Sequence, residues 1–305
     1  MDWLRHHWEV EFIHGDVRDF GALCALFESR RFDVVIHLAS QVAVTTSITD
    51  PEHDFEVNAQ GTFNILEAVR SHQPNTIVLN ASTNKVYGRL GSLRPREGAL
   101  RYDLPHLPDG VNETQPLDFH SPYGCSKGAA DQYVNDYARV FGLRTVNLRQ
   151  SCIYGYRQFG IEDQGWVAWF LIAHCVGRAV TIYGDGKQVR DILFIDDLVD
   201  AYLAAIDKIE DVRGTSFNIG GGAANALSLL ELLDMIRELS GCPLKHTFSD
   251  WRAGDQAVYI SDIRLAQQKL GWSPRVSAQE GVRRLYNWIA SNREMFLPVT
   301  AAKVG

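Results

Sequence analysis

Tyr123 and Lys127 stand four residues apart, a spacing that on a helix stacks them one above the other on a single face. That pairing has a chemical use. A free phenol titrates near ~10 and is a weak base at neutral pH. An ammonium a few ångströms away favours the phenolate. A drop of about three units, about 4 kcal/mol of differential interaction, would bring the phenol to its working pH. The pair could then take a proton from a substrate hydroxyl while a nicotinamide accepts the hydride.

The flanking residues predict the helix that this requires. Ser121 suits an N-cap and Pro122 the first helical position, where a missing N–H is harmless. Ala130, Tyr133, Val134, Tyr137 and Ala138 follow a 3.6-residue rhythm, and Gly142 suits the end, so a helix is predicted over 122–141. Spacing alone is weak evidence. Eleven tyrosines and seven lysines in 305 residues give about 0.25 chance matches. A second match, Tyr183 and Lys187, straddles Gly184-Asp185-Gly186, a turn that denies the two a shared helix face.

Composition narrows the partners. The net charge of −7 and the lack of a basic run argue against nucleic acid, and a strongly acidic substrate would need local cations. The five cysteines (Cys24, Cys125, Cys152, Cys175 and Cys242) are scattered and form no Cys-x-x-Cys, which predicts reduced thiols in a cytoplasmic protein and no disulfide framework or metal site. The longest apolar run, 166–176, is too short to span a bilayer and contains His174, and the first residues show no signal-peptide pattern. No membrane partner is expected.

Elements that position the pair can be read in order. Residues 9–14 alternate and run into Gly15-Asp16, predicting a strand and a turn. A helix is predicted over 20–30 and a longer one over 55–71. The short apolar runs 33–38 and 76–81 read as buried parallel strands. Alternating strands and helices at this spacing predict an α/β fold built on a parallel sheet. Thr83 follows the 76–81 strand, at the carboxyl end where such sheets bind ligands, although an ordinary Ser/Thr turn accounts for it equally well. The four prolines of 91–118 predict a lid or binding loop. Strands are predicted over 144–152, 180–183 and 216–219, the last running into Gly220-Gly221-Gly222, read as a turn. Ser228 with Glu231 and Ser277 with Glu280 form capping boxes before apolar helices, and the runs 265–270 and 282–289 close the smaller domain.

Four motifs stand in one order: His37-Leu38-Ala39-Ser40, Asn58-Ala59-Gln60-Gly61-Thr62, Thr83-Asn84-Lys85-Val86-Tyr87-Gly88 and Tyr123-x-x-x-Lys127. From about residue 9 to 289 the chain resembles the extended short-chain dehydrogenase/reductases that act on nucleotide sugars. The stretches 121–134, Tyr154-Gly-x-Arg157-Gln158-Phe159 and Asp163-Gln-Gly-Trp166 sharpen the likeness toward its epimerases. The resemblance implies a catalytic triad of Thr83, Tyr123 and Lys127, with Tyr123 as base and then acid. It implies NAD as cofactor, with Asp16 and Val17 near the adenine, Leu38, Ala39 and Ser40 along the pyrophosphate and nicotinamide ribose, and Asn58, Tyr123 and Lys127 completing the site. The plain reading of Asn58 is an amide bonded to nearby backbone. The resemblance implies a nucleotide-diphosphate sugar as substrate, bound by Asn84, Gln158, Arg190, Arg252 and Asp255. An arginine suits a diphosphate because its planar fork pairs two oxygens.

Family dehydratases carry Asp-Glu after the threonine. Asn84-Lys85 supplies no carboxyl acid, which favours redox epimerisation. The expectation is NAD-dependent epimerisation at C2 of a CDP-linked sugar, with UDP-glucose 4-epimerase-like chemistry or a non-catalytic, nucleotide-sugar-binding remnant as alternatives, and a homo-oligomer, dimer or tetramer. A Rossmann-type sheet normally opens with a strand, a G-x-x-G-x-x-G turn, a helix and an acidic residue about 20 positions later. None of these precedes residue 9. An N-terminally shortened sheet is therefore expected, lacking a unit of ~30 residues, with weakened NAD binding and exposed apolar edges. The expected division is 1–155 as the Rossmann-like domain, with 190–220 returning to it in part, 156–298 as a smaller α/β substrate domain, and a disordered tail at 299–305.

Overall fold

The computed structural model describes residues 2–91, 93–252 and 255–297. The tail expected beyond 298, and positions 253 and 254 of the 252–255 motif, lie outside the described residues. In chain order the first part comprises α1 (Asp2–His7), α2 (Phe20–Ser29), β1 (Val34–His37), α3 (Val44–Thr49), α4 (Pro51–Phe55), α5 (Gly61–His72), β2 (Ile77–Thr83) and the hairpin of β3 (Arg96–Glu97) and β4 (Tyr102–Asp103). It continues through α6 (Ser121–Phe141), β5 (Arg144–Gln150), β6 (Cys152–Tyr154), α7 (Trp166–Val176), β7 (Val180–Tyr183), β8 (Val189–Phe194) and α8 (Ile195–Asp207). The last strands are β9 (Thr215–Ile219), β10 (Ala226–Ser228), β11 (His246–Ser249) and β12 (Val258–Tyr259).

Four strands form a wholly parallel sheet in the order β1-β2-β5-β9. The central strand β2 is buried along almost its whole length, as expected of a parallel strand covered on both faces. Helix α6 lies across it. Its Val134 and Tyr137 pack with Leu66 and Val69 of α5 and with Val78 of β2. Ser121 opens the helix, its Oγ accepting from the Gly124 N–H at 3.2 Å, and Gly142 closes it in the left-handed region at φ 70°.

The long helix expected over 55–71 begins earlier. Asp50 caps α4 by accepting from the His53 N–H, and Pro51 takes the first helical position. Between α4 and α5 the chain makes one π turn over Glu56–Gln60. There the Thr62 hydroxyl donates to the Asn58 carbonyl at 2.6 Å. Such turns re-aim a helix face, and this one carries Asn58.

Three expectations are corrected. Residues 9–14 form no strand: no described strand runs beside them, so their backbone finds no ladder and Val10, Phe12 and Ile13 stay exposed. The single strand expected over 144–152 breaks at Ser151. The Ser151 N–H donates to the Ile219 carbonyl and its Oγ to Asp191 at 2.6 Å, which hands the chain from β5 in the first sheet to β6 in the second. The prolines of 91–118 do not make a lid. Leu104 and Val111 are buried in packed clusters with Val189 and Tyr259, and no described residue of this segment lines either cavity of the site.

The second sheet runs β10-β8-β12, with β6 pairing the far end of β8, and a separate β11-β7 pair stands apart. The apolar run at 166–176 is α7, buried in the largest core cluster among Ile192, Leu232 and Val282. Among the described residues, no helix is long and apolar enough to cross a membrane. On the first sheet, the outer edge of β1 pairs with no described strand, and Ile36 and Leu38 are 47% and 62% exposed.

Candidate active site

The sheet switch at Ser151 brings the ends of β2, β5 and β6 together beside the first turn of α6. Two cavities meet there. The smaller, of about 330 Å³, is lined by Leu38, Ser40, Ala81 and Lys127. The larger, of about 700 Å³, is lined by Asn84, Lys85, Arg190, Arg252 and Asp255. Thr83, Tyr123, Cys152 and Trp166 line both. The two candidate catalytic hydroxyls therefore stand on the shared wall, where a group in one cavity can meet a group in the other. Both volumes suit small-molecule ligands.

Tyr123 and Lys127 share the inner face of α6, and both are buried. The Lys127 Nζ donates to the Ala81 carbonyl at 2.6 Å. Burial pulls the Lys127 ammonium down to about 8, opposed by the carboxylates of Asp131 and Asp54. The expected depression of the Tyr123 phenol is corrected. Burial holds it above the ordinary value, the Thr83 hydroxyl beside it works in the opposite direction, and Asp54 adds to the rise. Desolvation of a phenolate outweighs an ammonium that is itself turned to a backbone carbonyl.

Leu38 and Ser40 line the smaller cavity, while Ala39 between them is exposed. Asp16 and Val17 reach neither cavity. Asp16 is paired with Arg18 at 2.7 Å, which holds its carboxyl down to about 2, and Val17 packs against the α2–α5 cluster. Asn58, expected at the cofactor, stands behind the cavity wall and is saturated. Its Oδ1 accepts from Ser40 Oγ at 2.7 Å and the Gln41 N–H at 2.9 Å, and its Nδ2 donates toward the Gln41 carbonyl, Asp54 and Ser126. Its part is to hold the loop after β1, the plain reading of that amide. Gln158 is also displaced from its expected place: it lines the smaller cavity, not the larger, with Nε2 donating to the Ile153 carbonyl.

Arg190 projects from β8 and is almost fully buried, paired with Asp255 at 3.0 Å. Arg252 pairs with Asp163 at 2.9 Å and lies over the Tyr183 ring at 3.9 Å. Arg252 and Asp255, a single motif in sequence, thus hold different partners across one cavity. Gly88 closes the Thr83–Gly88 motif at φ 67°, where a β-carbon would meet the Asp118 carbonyl oxygen at 1.9 Å.

Sequence reasoning missed two residues here. Lys85 was weighed only against the dehydratase acids, yet its side chain lines the larger cavity. Burial and the Arg190 cation lower its affinity for a proton, with Asp255 opposing. Asp54, fully buried in α4, reaches Tyr123 and Lys127 electrostatically. Its signal was present: it precedes Asn58 by one helical turn, two polar groups on an otherwise buried face.

A family model described as GDP-mannose 4,6 dehydratase matches residues 2–285. The chain belongs to the NAD-dependent epimerase/dehydratase family, within the extended short-chain dehydrogenase/reductases. It is 45% identical over 296 residues to CDP-paratose 2-epimerase of Salmonella typhi, covering 95% of this chain and 88% of that protein. Its fold is similar to the UDP-glucose 4-epimerase of Thermotoga maritima solved with UDP-glucose, at TM-score 0.80 and 29% identity, covering 92% of this chain and 85% of that one. It is also similar to the Thermus thermophilus UDP-glucose 4-epimerase solved with NAD, at TM-score 0.77 and 30% identity, covering 92% and 84%.

The smaller cavity fits the nicotinamide end of NAD. It offers an apolar wall at Leu38, the Ser40 hydroxyl, and a Lys127 ammonium with donors left after its bond to Ala81. No G-x-x-G-x-x-G turn for the pyrophosphate occurs among the described residues.

Proposed function

We propose that the chain is an NAD-dependent epimerase of nucleotide-diphosphate sugars that inverts C2 of CDP-paratose to give CDP-tyvelose. The observation that carries this is the shared wall: Thr83 and Tyr123 separate a cavity suited to a nicotinamide from one lined by arginines. The 45% identity to CDP-paratose 2-epimerase supports the choice of substrate. Bound in the smaller cavity, NAD supplies a reversible hydride acceptor and is unchanged over a full cycle.

The chain's own residues do the rest. Thr83 holds the reacting oxygen by a hydrogen bond. Tyr123 takes the proton from that hydroxyl as the carbon is oxidised and returns it when the other face is reduced. The Lys127 ammonium stabilises the phenolate that forms, which offsets the burial that raises Tyr123 in the free protein. Arg190 and Arg252 grip the diphosphate, released in part from Asp255 and Asp163, and Lys85 extends the same cationic wall. Asn84 and Lys85 offer no carboxyl acid after Thr83, which disfavours loss of water from the sugar.

We further propose a homo-oligomer. Phe63 on α5 and Tyr133 and Phe141 on α6 form an aromatic stripe that is 38%, 47% and 49% exposed, more than isolated surface residues need. The five free thiols suit a reducing cytoplasm.

Supplying CDP-paratose or UDP-glucose with NAD+ and following the sugar by NMR tests the assignment. Inversion of CDP-paratose is expected. Turnover of UDP-glucose alone would replace the proposal with 4-epimerisation, and binding of CDP-sugars without turnover would leave a non-catalytic remnant.

A further inference from the structure

Asp54 lies on α4 with no exposed surface. Three side chains from three segments donate to it: Ser126 Oγ from α6 at 2.5 Å, Gln41 Nε2 from the loop after β1 at 2.8 Å, and Asn58 Nδ2 from the π turn at 3.1 Å. All three donors are neutral, and Asp54 has no ion pair among the described residues. A buried carboxylate without a cation is costly unless its field falls on one nearby. Lys127 is the cation on which it acts, favouring the ammonium, and it opposes ionisation of Tyr123.

Other groups face Lys127, and of these Asp131 also favours the ammonium, ahead of Asp54. Asp131, on the same helix, shares its charge with Arg149, with Nη2 at 2.7 Å and Nε at 3.0 Å, and also accepts from Ser82, whereas Asp54 has only neutral partners. His37, from β1, is buried and pushed down to about 3, so it is neutral beside the ammonium. The Ala81 carbonyl of β2 takes one proton of the amine but carries no net charge.

We infer that Asp54 is a positioning residue for the Tyr123–Lys127 pair: its charge holds Lys127 as an ammonium, and its hydrogen bond to Ser126 fixes the first turn of α6 against the loop that carries Ser40. This deepens, and rests on, the reading of that pair as the proton-transfer group.

The geometry names a clean substitution. In Asp54→Asn the amide oxygen still accepts from Gln41 and Asn58. Its NH₂ donates to Ser126 Oγ, whose own proton turns to the Tyr123 carbonyl, already 3.2 Å away. The shape is kept and the charge is lost. With lysine carbon-13 labelled at the ε position and Lys127 assigned by its absence in Lys127→Met, the full chain is titrated as wild type and as Asp54→Asn. Lys127 is expected to lose its proton about one unit lower in the variant. Removing the carboxylate also favours the phenolate, so both limbs of the kcat–pH profile move to lower pH, which a merely structural loss would not produce. Ser126→Ala keeps the charge and is expected to leave the Lys127 titration in place.

Titration of Lys127 at one pH in wild type and Asp54→Asn would overturn the inference, as would an equal shift in Ser126→Ala. Should Asp54→Asn not fold, Asp54→Ser, which leaves room for water among the same donors, carries the same expectation. A wild type that turns over no nucleotide sugar refutes the proposed function, while the lysine titration still decides the role of Asp54.

Discussion

Lys127 and Lys85 flank the same catalytic wall, one in each cavity, and burial lowers the proton affinity of both. Their surroundings differ. Lys127 has a carbonyl partner at 2.6 Å and two carboxylates in its field. Lys85 has Arg190 beside it, the single opposing carboxylate of Asp255, and no side-chain hydrogen bond among the described residues. The first amine is provided with groups that favour its charge. The second stands in a cavity whose cations await oxygens that the protein does not supply. On this comparison and the proposed reading, Lys127 belongs to the chemistry and Lys85 to substrate binding.

The largest effect separates the wall from both cavities. Tyr123→Phe is expected to lower kcat about 10³-fold, with the chain still binding the nucleotide sugar, because it removes the group that moves the proton. Binding by calorimetry alongside turnover checks both halves.

The next effect breaks or keeps the contrast between the lysines. Lys127→Met is expected to lower kcat about 10²-fold with little change in KM. Lys85→Met is expected to raise KM about tenfold with kcat nearly intact, as loss of one charged hydrogen bond implies. A fall in kcat for Lys85→Met as large as that for Lys127→Met would erase the distinction. The wild-type pH profile sharpens it. Lys127 is an ammonium below about 8 and loses its proton as pH rises through that value, so kcat should decline on the alkaline side near pH 8. Lys127→Arg should remove that limb.

Arg190 gives a comparable effect on the substrate side. Arg190→Gln removes a phosphate fork, so KM should rise about 10–100-fold. Titration with CDP alone, without the sugar, reads the same loss.

The smallest effect is on stability. Thr62 spends its proton on the Asn58 carbonyl, so His37 Nε2 must carry the hydrogen of the 3.0 Å His37–Thr62 bond. His37 is pushed down to about 3 by burial and then by Lys127. Its unfolded form takes up a proton near 6.5, so its contribution is whole above that pH and is lost as pH falls toward 3. Urea midpoints measured from pH 7 to pH 4 should fall more steeply for wild type than for His37→Gln.

What the sequence made legible was local. Ser121, Pro122 and Gly142 punctuate α6, and the rhythm of Val134 and Tyr137 orients it, so Tyr123 and Lys127 could be placed on one face. The run 76–81 placed Thr83 at the end of a strand. Each miss came from tertiary structure. Residues 9–14 alternate like a strand, but a strand exists only beside another. Ser151 interrupts no apolar pattern, and its role as the point where the chain changes sheets depends on Ile219 and Asp191. The partners of Asp54 come from positions 41, 58 and 126. Burial, which spacing does not report, reversed the expected direction for Tyr123.

The central claim is that the Tyr123 wall inverts a sugar carbon by removing and returning the same hydrogen. CDP-paratose carrying deuterium at C2, incubated with the chain and NAD+ in ordinary water, tests it directly. The account predicts CDP-tyvelose with deuterium retained at the inverted C2. Inversion with deuterium replaced by solvent hydrogen, or no inversion at C2, would contradict it.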